Sequence, residues 1–410
     1  MSRAAVKKLL VLSLAAFAVA AGTGHAQSAW TFERVLDSSL TNHPAILGKR
    51  SEQAAAYADK EGAKWARFPT PSFEASAPTE AGANNSVLRI DQPLWTGGRI
   101  TAGIDAAGSR YDAATAGLDE ARLDMTLRVI AAYVEGVRQK EREQYAATGV
   151  AQHEKLLAMI RRRVANEVSS QIDQSLAETR LYQMSNDLSL TSQALKNALT
   201  QLSQLSGAAV SDVSWDGVDD TGGVASLEAA LESAVAESPK LQRLRYEEQA
   251  ALADIDSRRA VYMPQLTLRL QRTMGGGVAA DNRAMVVLQA QPGAGLSAGT
   301  GVEAAVARRE AVRQAQEAAE RDVRERVTLD WNEWLAARSR LEAARRSSAI
   351  SDEVFESYTR QYVIGRKTWI DVLNAVRETV QANFTLADAR AQTVAAGLRL
   401  KAQTRGLKLK

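Results

Sequence analysis

Side chains that commonly perform catalysis or hold metal ions are scarce in this chain. It contains no cysteine and three histidines among 410 residues. His43 and His153 lie in different helical segments, and no other metal-ligating residue stands at ligand spacing from either. No motif combines a nucleophile, a base and an orienting residue, and no glycine-rich phosphate loop ends in lysine. The sequence therefore predicts a protein that is not an enzyme and that uses no cofactor or metal.

The first 26 residues have the composition of a secretory signal. Three basic residues, the last of them Lys8, precede the apolar run Leu9–Ala21, and small residues lead to a cleavage site after Ala26. Because the apolar run is too short to span a bilayer, a processed leader is favoured over a buried N-terminal helix. We expect the mature chain to begin at Gln27, outside the cytosol.

The charge of the mature chain is balanced. Loss of the leader removes three of the 51 lysines and arginines and none of the 48 acidic residues, which leaves 48 of each sign. This balance predicts no nucleic-acid partner. Without cysteine, neither a disulfide framework nor a lipid-anchored N-terminus is expected, and no later stretch reaches the roughly 18 to 20 apolar residues of a spanning helix. If the chain enters a membrane, we expect it to do so as strands.

The chain contains an internal duplication. Pro44 is echoed by Pro239, 195 residues further on, and later the offset becomes 198, as between Asp173 and Asp371. Several further pairs share these offsets. An offset that stays constant over a long stretch indicates two copies of one structural unit.

Each copy has the same predicted order of elements: a helical stretch, a β-hairpin and two long helices. In the first copy, 27–210, these lie at 31–66, 70–93, 99–163 and 171–206; in the second, 211–410, they lie at 226–261, 264–292, 302–360 and 368–406. Apolar residues recur at intervals of three, four or seven from Leu181 to Leu202, which is typical of helices that pack side by side. In the hairpins, apolar residues such as Leu268 and Leu270 alternate with polar ones, as in strands with one wet face. His43, beside Pro44, is expected in a turn between helices.

Two hairpins supply four strands, which cannot close a barrel. An open sheet in a membrane would leave unpaired backbone groups facing lipid, so we expect several chains to combine. Three chains would supply twelve strands, enough to surround an open lumen. The predicted fold is therefore mainly α-helical with a membrane β-barrel, in which four strands come from each chain.

Two segments carry a resemblance to a known family. The strand-to-helix junction Asp91–Arg99 (DQPLWTGGR) and the turn Tyr362–Ala375 (YVIGRKTWIDVLNA) resemble the TolC family of outer-membrane efflux proteins. The resemblance implies a homotrimer with a twelve-stranded barrel in the outer membrane of a Gram-negative bacterium and an α-helical barrel in the periplasm. It also implies three kinds of partner: outer-membrane lipid, a periplasmic adaptor (membrane fusion) protein, and an inner-membrane transporter that is ABC-type or proton-driven.

The function that follows is that of a passive exit duct in a tripartite export system. Its cargo is a protein, in type I secretion, or a small molecule, and the lack of a lipid-anchor cysteine favours the former. A surface coiled-coil adhesin anchored in the outer membrane is the alternative. A fibre needs one anchor at one end, whereas hairpins interrupt these helices twice, so the duct is favoured.

The resemblance also implies functional residues. Asp371 and Asn374 match the pore constriction, where rings of carboxylates favour cations. A carboxylate at a helix start also suits the helix dipole, so a purely capping role for Asp371 is the alternative. Asp173, Tyr362 and Lys367 match a gate latch between neighbouring coiled coils, for which an ordinary surface ion pair is the alternative.

The turns between the long helices are expected to dock the adaptor. They contain Asn166 and Glu167 in the first copy, and Ile364, Gly365 and Arg366 in the second. Glu167 stands where the second copy has Gly365, so only one turn has the glycine of the family. The second junction also departs from the family, because 291–297 lacks the aromatic residue and the paired glycines of the first.

Overall fold

A computed structural model describes residues 29–76, 85–218, 223, 225–275, 278–291 and 297–404. The first half contains α1 (Phe32–Asn42), α2 (Pro44–Lys64), β1 (Thr70–Ser76), β2 (Asn85–Trp95), α3 (Arg99–Ala165) and α4 (Gln171–Ser206). The second half contains α5 (Leu227–Glu237), α6 (Pro239–Arg259), β3 (Gln265–Gly275), β4 (Val278–Gln289), α7 (Ala298–Val363) and α8 (Trp369–Gln403). The predicted leader at 1–26 lies outside the described residues, as do most of the two hairpin turns.

The helical stretch that opens each half is interrupted once, at the same place in both halves. Pro44 and Pro239 begin α2 and α6, and the residue before each proline leaves the helical conformation, as proline requires. His43 and Ser238 cap the new helices, because Nδ1 of His43 and Oγ of Ser238 accept hydrogen bonds from backbone amides. Continuous helices over 31–66 and 226–261, which periodicity alone predicts, are thus each divided in two, and His43 lies in the expected turn.

The long helices give the molecule its length. α3 has 67 residues and α7 has 66, which at 1.5 Å per residue is about 100 Å each. α3 begins at the predicted residue, directly after Gly97 and Gly98, whose φ angles are 61° and 90°. A side chain on Gly97 would also collide with Met263, so the sharp turn from strand to helix depends on glycine.

The seven-residue repeat of α4 packs against α3 through small side chains. The residues buried in α4 include Ala177, Met184, Thr191 and Ala198, spaced by seven. Of the leucines in the periodic pattern, Leu181 and Leu188 pack at the margins of this seam and are partly buried, whereas Leu202 is fully buried. Small side chains at the centre let the two helix backbones approach closely.

The four strands form one antiparallel sheet in the order β1-β2-β3-β4. The two halves meet in the central pairing, where Ile90 of β2 lies opposite Leu270 of β3. β1 and β4 form the edges of the sheet, and neither has a second strand partner within the described chain. No helix in the described ranges is both long and apolar enough to cross a membrane.

The largest apolar core lies near the middle of the helical part, around Tyr133. The Tyr133 ring packs edge-on against Phe32 at 5.6 Å between ring centroids. Its hydroxyl lies 2.9 Å from the carbonyl oxygen of Trp30 and 2.7 Å from that of Ser214. Burial raises the pKa of Tyr133 to about 12. This core fixes α1 and the connection after α4 onto the middle of α3.

Candidate gate and docking turns at the helical tips

The hairpins α3–α4 and α7–α8 end in turns of the same backbone geometry. Glu167 and Gly365 occupy corresponding positions with φ angles of 57° and 74°. In each turn the next residue, Val168 or Arg366, donates its amide to the carbonyl five residues earlier, at 2.9 Å in both cases. This hydrogen bond is typical of a Schellman motif, in which one residue in the left-handed conformation ends a right-handed helix. The first turn therefore holds a glutamate in a conformation that favours glycine.

All five residues of the predicted docking turns are exposed at these two tips: Asn166, Glu167, Ile364, Gly365 and Arg366. Apolar side chains beside them also face solvent, among them Val168, which is 61% exposed, and Ile364, which is 65% exposed. Exposed apolar groups at the end of a molecule are typical of a surface that meets a partner.

The helix that leaves each turn begins with a capping box. In α4 the Ser170 hydroxyl accepts from the Asp173 amide at 3.2 Å, and the Asp173 carboxylate accepts from the Ser170 amide at 3.3 Å. In α8 the Thr368 hydroxyl accepts from the Asp371 amide at 3.3 Å, and the Asp371 carboxylate accepts from the Thr368 amide at 3.0 Å. Asp173 and Asp371 therefore have the same structural role in the two copies.

The two predicted constriction residues lie on one face of α8. Asp371 and Asn374 are three residues apart and both are partly exposed. Hydrogen bonds from the amide and hydroxyl of Thr368, together with the nearby Lys367 ammonium, hold the pKa of Asp371 below its ordinary value. Asp371 is therefore negatively charged at neutral pH. The capping role is present within one chain, and the constriction role stays a prediction about assembled chains.

One hydrogen bond ties the two tips together. The indole nitrogen of Trp369 donates to the backbone carbonyl of Asp173 at 3.1 Å. Trp369 is the first residue of α8 and is buried, although its neighbours Thr368 and Ile370 are exposed. The prediction of site residues missed Trp369. Its only sequence signal was an apolar aromatic residue directly after a helix cap.

Tyr362 lies inside the tip. Its ring is buried with a centroid 5.2 Å from that of Trp369, and the guanidinium carbon of Arg163 lies 4.9 Å from the Tyr362 ring. Arg163 is a second residue that the prediction missed, because a basic run at a helix end is usually solvated. Here it joins the α3 tip to the α7 tip by a cation–π contact.

Lys367 contacts an aromatic ring on its own hairpin. Its ammonium nitrogen lies 4.1 Å from the ring centroid of Tyr358. Within the described part of a single chain, no hydrogen bond or ion pair joins Asp173 to Tyr362 or Lys367. The three residues do lie at the same tips, so the predicted latch stays a prediction about contacts between chains.

Ion pairs fasten α8 to α3 above the tips. Asp388 of α8 accepts from Arg142 at 2.9 Å and from Arg138 at 3.2 Å. Arg390 of α8 donates to Glu141 at 2.8 Å. Any movement of α8 at the tip must therefore occur below this fastened section or break its ion pairs.

The sequence model of the outer membrane efflux protein family matches residues 35–208 and 230–404, one match in each half of the chain. The chain therefore belongs to the outer membrane efflux protein family. It is an efflux channel of the outer membrane, with its helical part in the periplasm, and it is not an enzyme. Membership sets aside the adhesin alternative. Among curated proteins, no sequence match to the chain is found.

Solved structures share the fold over nearly the whole chain. A membrane protein from Pseudomonas aeruginosa has a TM-score of 0.81 and 18% identity, covering 91% of this chain and 92% of that chain. CusC has a TM-score of 0.79 and 14% identity, covering 91% of both chains. The outer membrane protein VceC from Vibrio cholerae has a TM-score of 0.78 and 15% identity, covering 91% of this chain and 95% of that chain.

Proposed function

We propose that this protein is the passive exit duct of a tripartite export system. In this proposal it forms a homotrimer that a periplasmic adaptor connects to an inner-membrane transporter. The observation that carries the proposal is a four-stranded sheet with two free edges and one apolar face, attached to two helical rods of about 100 Å.

The free edges support assembly into a closed barrel. Exposed apolar residues lie on one face of the sheet, among them Phe73 and Leu288, which are 66% and 68% exposed. In lipid, backbone groups at the edges need partners, and pairing β4 of one chain with β1 of the next would supply them. Three chains would close a twelve-stranded barrel with a lumen.

The tips support a gate and an adaptor contact. Asp371 and Asn374 of three chains would line the narrowest point, and Asp173, Tyr362 and Lys367 would hold neighbouring hairpins together. Solvent-exposed contacts at the tips are individually weak, since an exposed ion pair stabilises a structure by about 0 to 1 kcal/mol. An adaptor bound to the turns could therefore displace them.

The sequence contains no glycine-rich phosphate loop that ends in lysine, so the proposal places the energy source on the transporter, an ABC protein or a proton-driven pump. The cargo is a protein in type I secretion or a small molecule. Deleting the gene and measuring a secreted protein and a retained dye in the same cells separates the two. Loss of neither export activity would contradict the duct.

The trimer is tested by crosslinking, for which a chain without cysteine is well suited. Cysteine replaces Ser72 on β1 and Val287 on β4, and a bis-maleimide joins them in detergent. We expect covalent species of two and three chains and nothing larger, and none from the Ser72→Cys variant alone. A series that stops at one chain, or extends beyond three, would contradict the proposed assembly.

A further inference from the structure

A groove of about 280 Å³ crosses the apolar face of the sheet. Two rows of side chains on this face line it, together with Gln271 and Arg283 of the row between them. Arg272 of β3 lies opposite Leu88 of β2 and Asn282 of β4, and in the next row Leu270 lies opposite Ile90 and Ala284. Small side chains on β4 beside larger ones on β2 and β3 produce the depression.

The charge of Arg272 is unusual for this face. Alternation along the strands puts the other charged residues of the described sheet on the opposite face. There Arg269 pairs with Asp91 at 2.7 Å and Arg283 with Asp281 at 2.6 Å, while Glu74 and Arg89 form no ion pair among the described residues. Arg272 is exposed and, within the described residues, has no acidic partner. In a closed barrel the apolar face meets lipid, so Arg272 would meet it too.

Arg272 lies toward the end of the sheet that is distant from the helices, so in the proposed barrel its charge would lie near the headgroups of the outer leaflet. Exposed aromatic rings, including Trp65 and Trp95, mark the end where strands join helices, as at a membrane interface. Trp95 pairs with Leu266, six residues before Arg272. Six residues span about 20 Å along a strand, or about 15 Å along the normal at the usual tilt, against an apolar band of about 25 Å. A long arginine side chain that extends outward would reach the outer headgroups.

We propose that this groove binds an anionic, phosphate-bearing lipid of the outer leaflet. The phosphate would accept hydrogen bonds from the Arg272 guanidinium and the Asn282 amide, and an acyl chain would lie along Leu88, Ile90 and Leu270. A guanidinium suits phosphate because its planar donors match two oxygens at once. The inference rests on the proposed barrel, with its apolar face outward, and gives one site per chain.

Native mass spectrometry of the assembled channel in detergent tests the site. The channel is titrated with phosphatidylglycerol, and phosphatidylcholine of the same chain length serves as the neutral lipid. We expect one phosphatidylglycerol per chain, bound more tightly than phosphatidylcholine. Arg272→Gln should weaken phosphatidylglycerol binding about fivefold, whereas Arg89→Gln, which removes the same charge from the opposite face at a residue that does not line the groove, should not. Ala284→Leu fills the groove and should weaken both lipids.

Four outcomes would overturn the inference. Equal losses in Arg272→Gln and Arg89→Gln would mean that the lipid responds to net positive charge and not to a guanidinium in the groove. Competition by inorganic phosphate at concentrations comparable to those of the lipid would indicate a site for free anions. A change in channel conductance without a change in lipid binding in Arg272→Gln would place Arg272 in the lumen. The same spectra report the mass of the assembly, so a trimer without lipid counts against the site alone, and a monomer counts against the duct.

Discussion

Glu167 and Gly365 share one backbone position in the two copies, and only one of them is glycine. Their φ angles are 57° and 74°. A left-handed conformation costs an ordinary residue about 1 to 2 kcal/mol, and a side chain on Gly365 would meet no atom within 4 Å. The backbone alone therefore sets the energetic difference between these turns, and this leads to the first prediction.

Gly365→Ala should destabilise the α7–α8 tip by about 1 kcal/mol. The left-handed conformation strains alanine, and this cost is partly offset because alanine lowers the conformational entropy of the unfolded chain. Glu167→Gly should be neutral or slightly stabilising. Urea unfolding followed by circular dichroism measures both. Gly301→Ala is the matched control, since Gly301 lies within α7 with open space around it and should gain stability. A loss of the same size in Gly301→Ala would contradict the explanation.

Trp369→Phe should loosen the connection between the two tips. It keeps an aromatic ring against Tyr362 and removes the hydrogen bond to the Asp173 carbonyl. We expect higher conductance in planar bilayers and a stability loss of about 1 kcal/mol. Trp331→Phe, which alters a tryptophan far from the tips, should leave conductance unchanged. Unchanged conductance in Trp369→Phe would mean that the tips separate elsewhere.

The latch prediction concerns Asp173 and Lys367. If these residues hold neighbouring hairpins together, Asp173→Ala combined with Lys367→Ala should raise conductance by no more than the larger single change, because both remove one contact. Additive increases would show independent roles. Since Asp173 also caps α4, Asp173→Asn serves as the variant that keeps most of the cap. A correctly assembled channel with unaltered conductance would remove the latch from consideration.

Asp371→Asn should reduce cation preference, because three like charges around one axis attract cations into a narrow lumen. Reversal potentials across a salt gradient measure the effect, with and without a trivalent cation. Thr368→Ala is the matched control, since it removes the hydroxyl of the same capping box and leaves the Asp371 charge in place. The depressed pKa of Asp371 also predicts that the parent keeps its preference as pH falls to the ordinary aspartate range and loses it only below. Identical selectivity in both variants would leave Asp371 with its capping role alone.

Tyr133→Phe should cost about 1 to 3 kcal/mol, because its hydroxyl bonds to buried carbonyls. The pKa of Tyr133 is raised from 10.0 to about 12 in the fold. The protonated form is therefore favoured by folding, and its stabilisation is complete below pH 10 and is lost as pH rises towards 12. Unfolding curves at pH 8 and pH 11 should show a larger alkaline loss in the parent than in Tyr133→Phe. Equal losses would mean that another group titrates.

Sequence patterns predicted the long helices closely, because their ends carry local signals. α4 runs over 171–206, as predicted, between Ser170 and Gly207, which cap its two ends. The break at Ser238 was less visible, since Pro239 is equally compatible with a kink. At the α4 seam, Met184 and Leu202 of the predicted pattern are buried, but Ala177 and Ala198 were missed because alanine is common throughout the sequence.

The contacts between the two tips could not be predicted from local sequence patterns, because they join residues that are distant in the sequence. The hydrogen bond between Trp369 and Asp173 joins residues 196 positions apart, and it depends on how two hairpins pack. The family resemblance identified the segments that form the tips, but it did not predict which residues contact each other within the chain. Tyr362 illustrates this, since a residue expected at a contact between hairpins is buried in its own tip.

The capping boxes have a consequence for how this channel can evolve. Because Asp371 completes the start of α8, a stable helix favours a side chain at this position that accepts the Thr368 amide. Asn374 has no such capping role. If both residues line the lumen as proposed, Asn374 can therefore change without loss of a helix cap, whereas a replacement of Asp371 must also start α8.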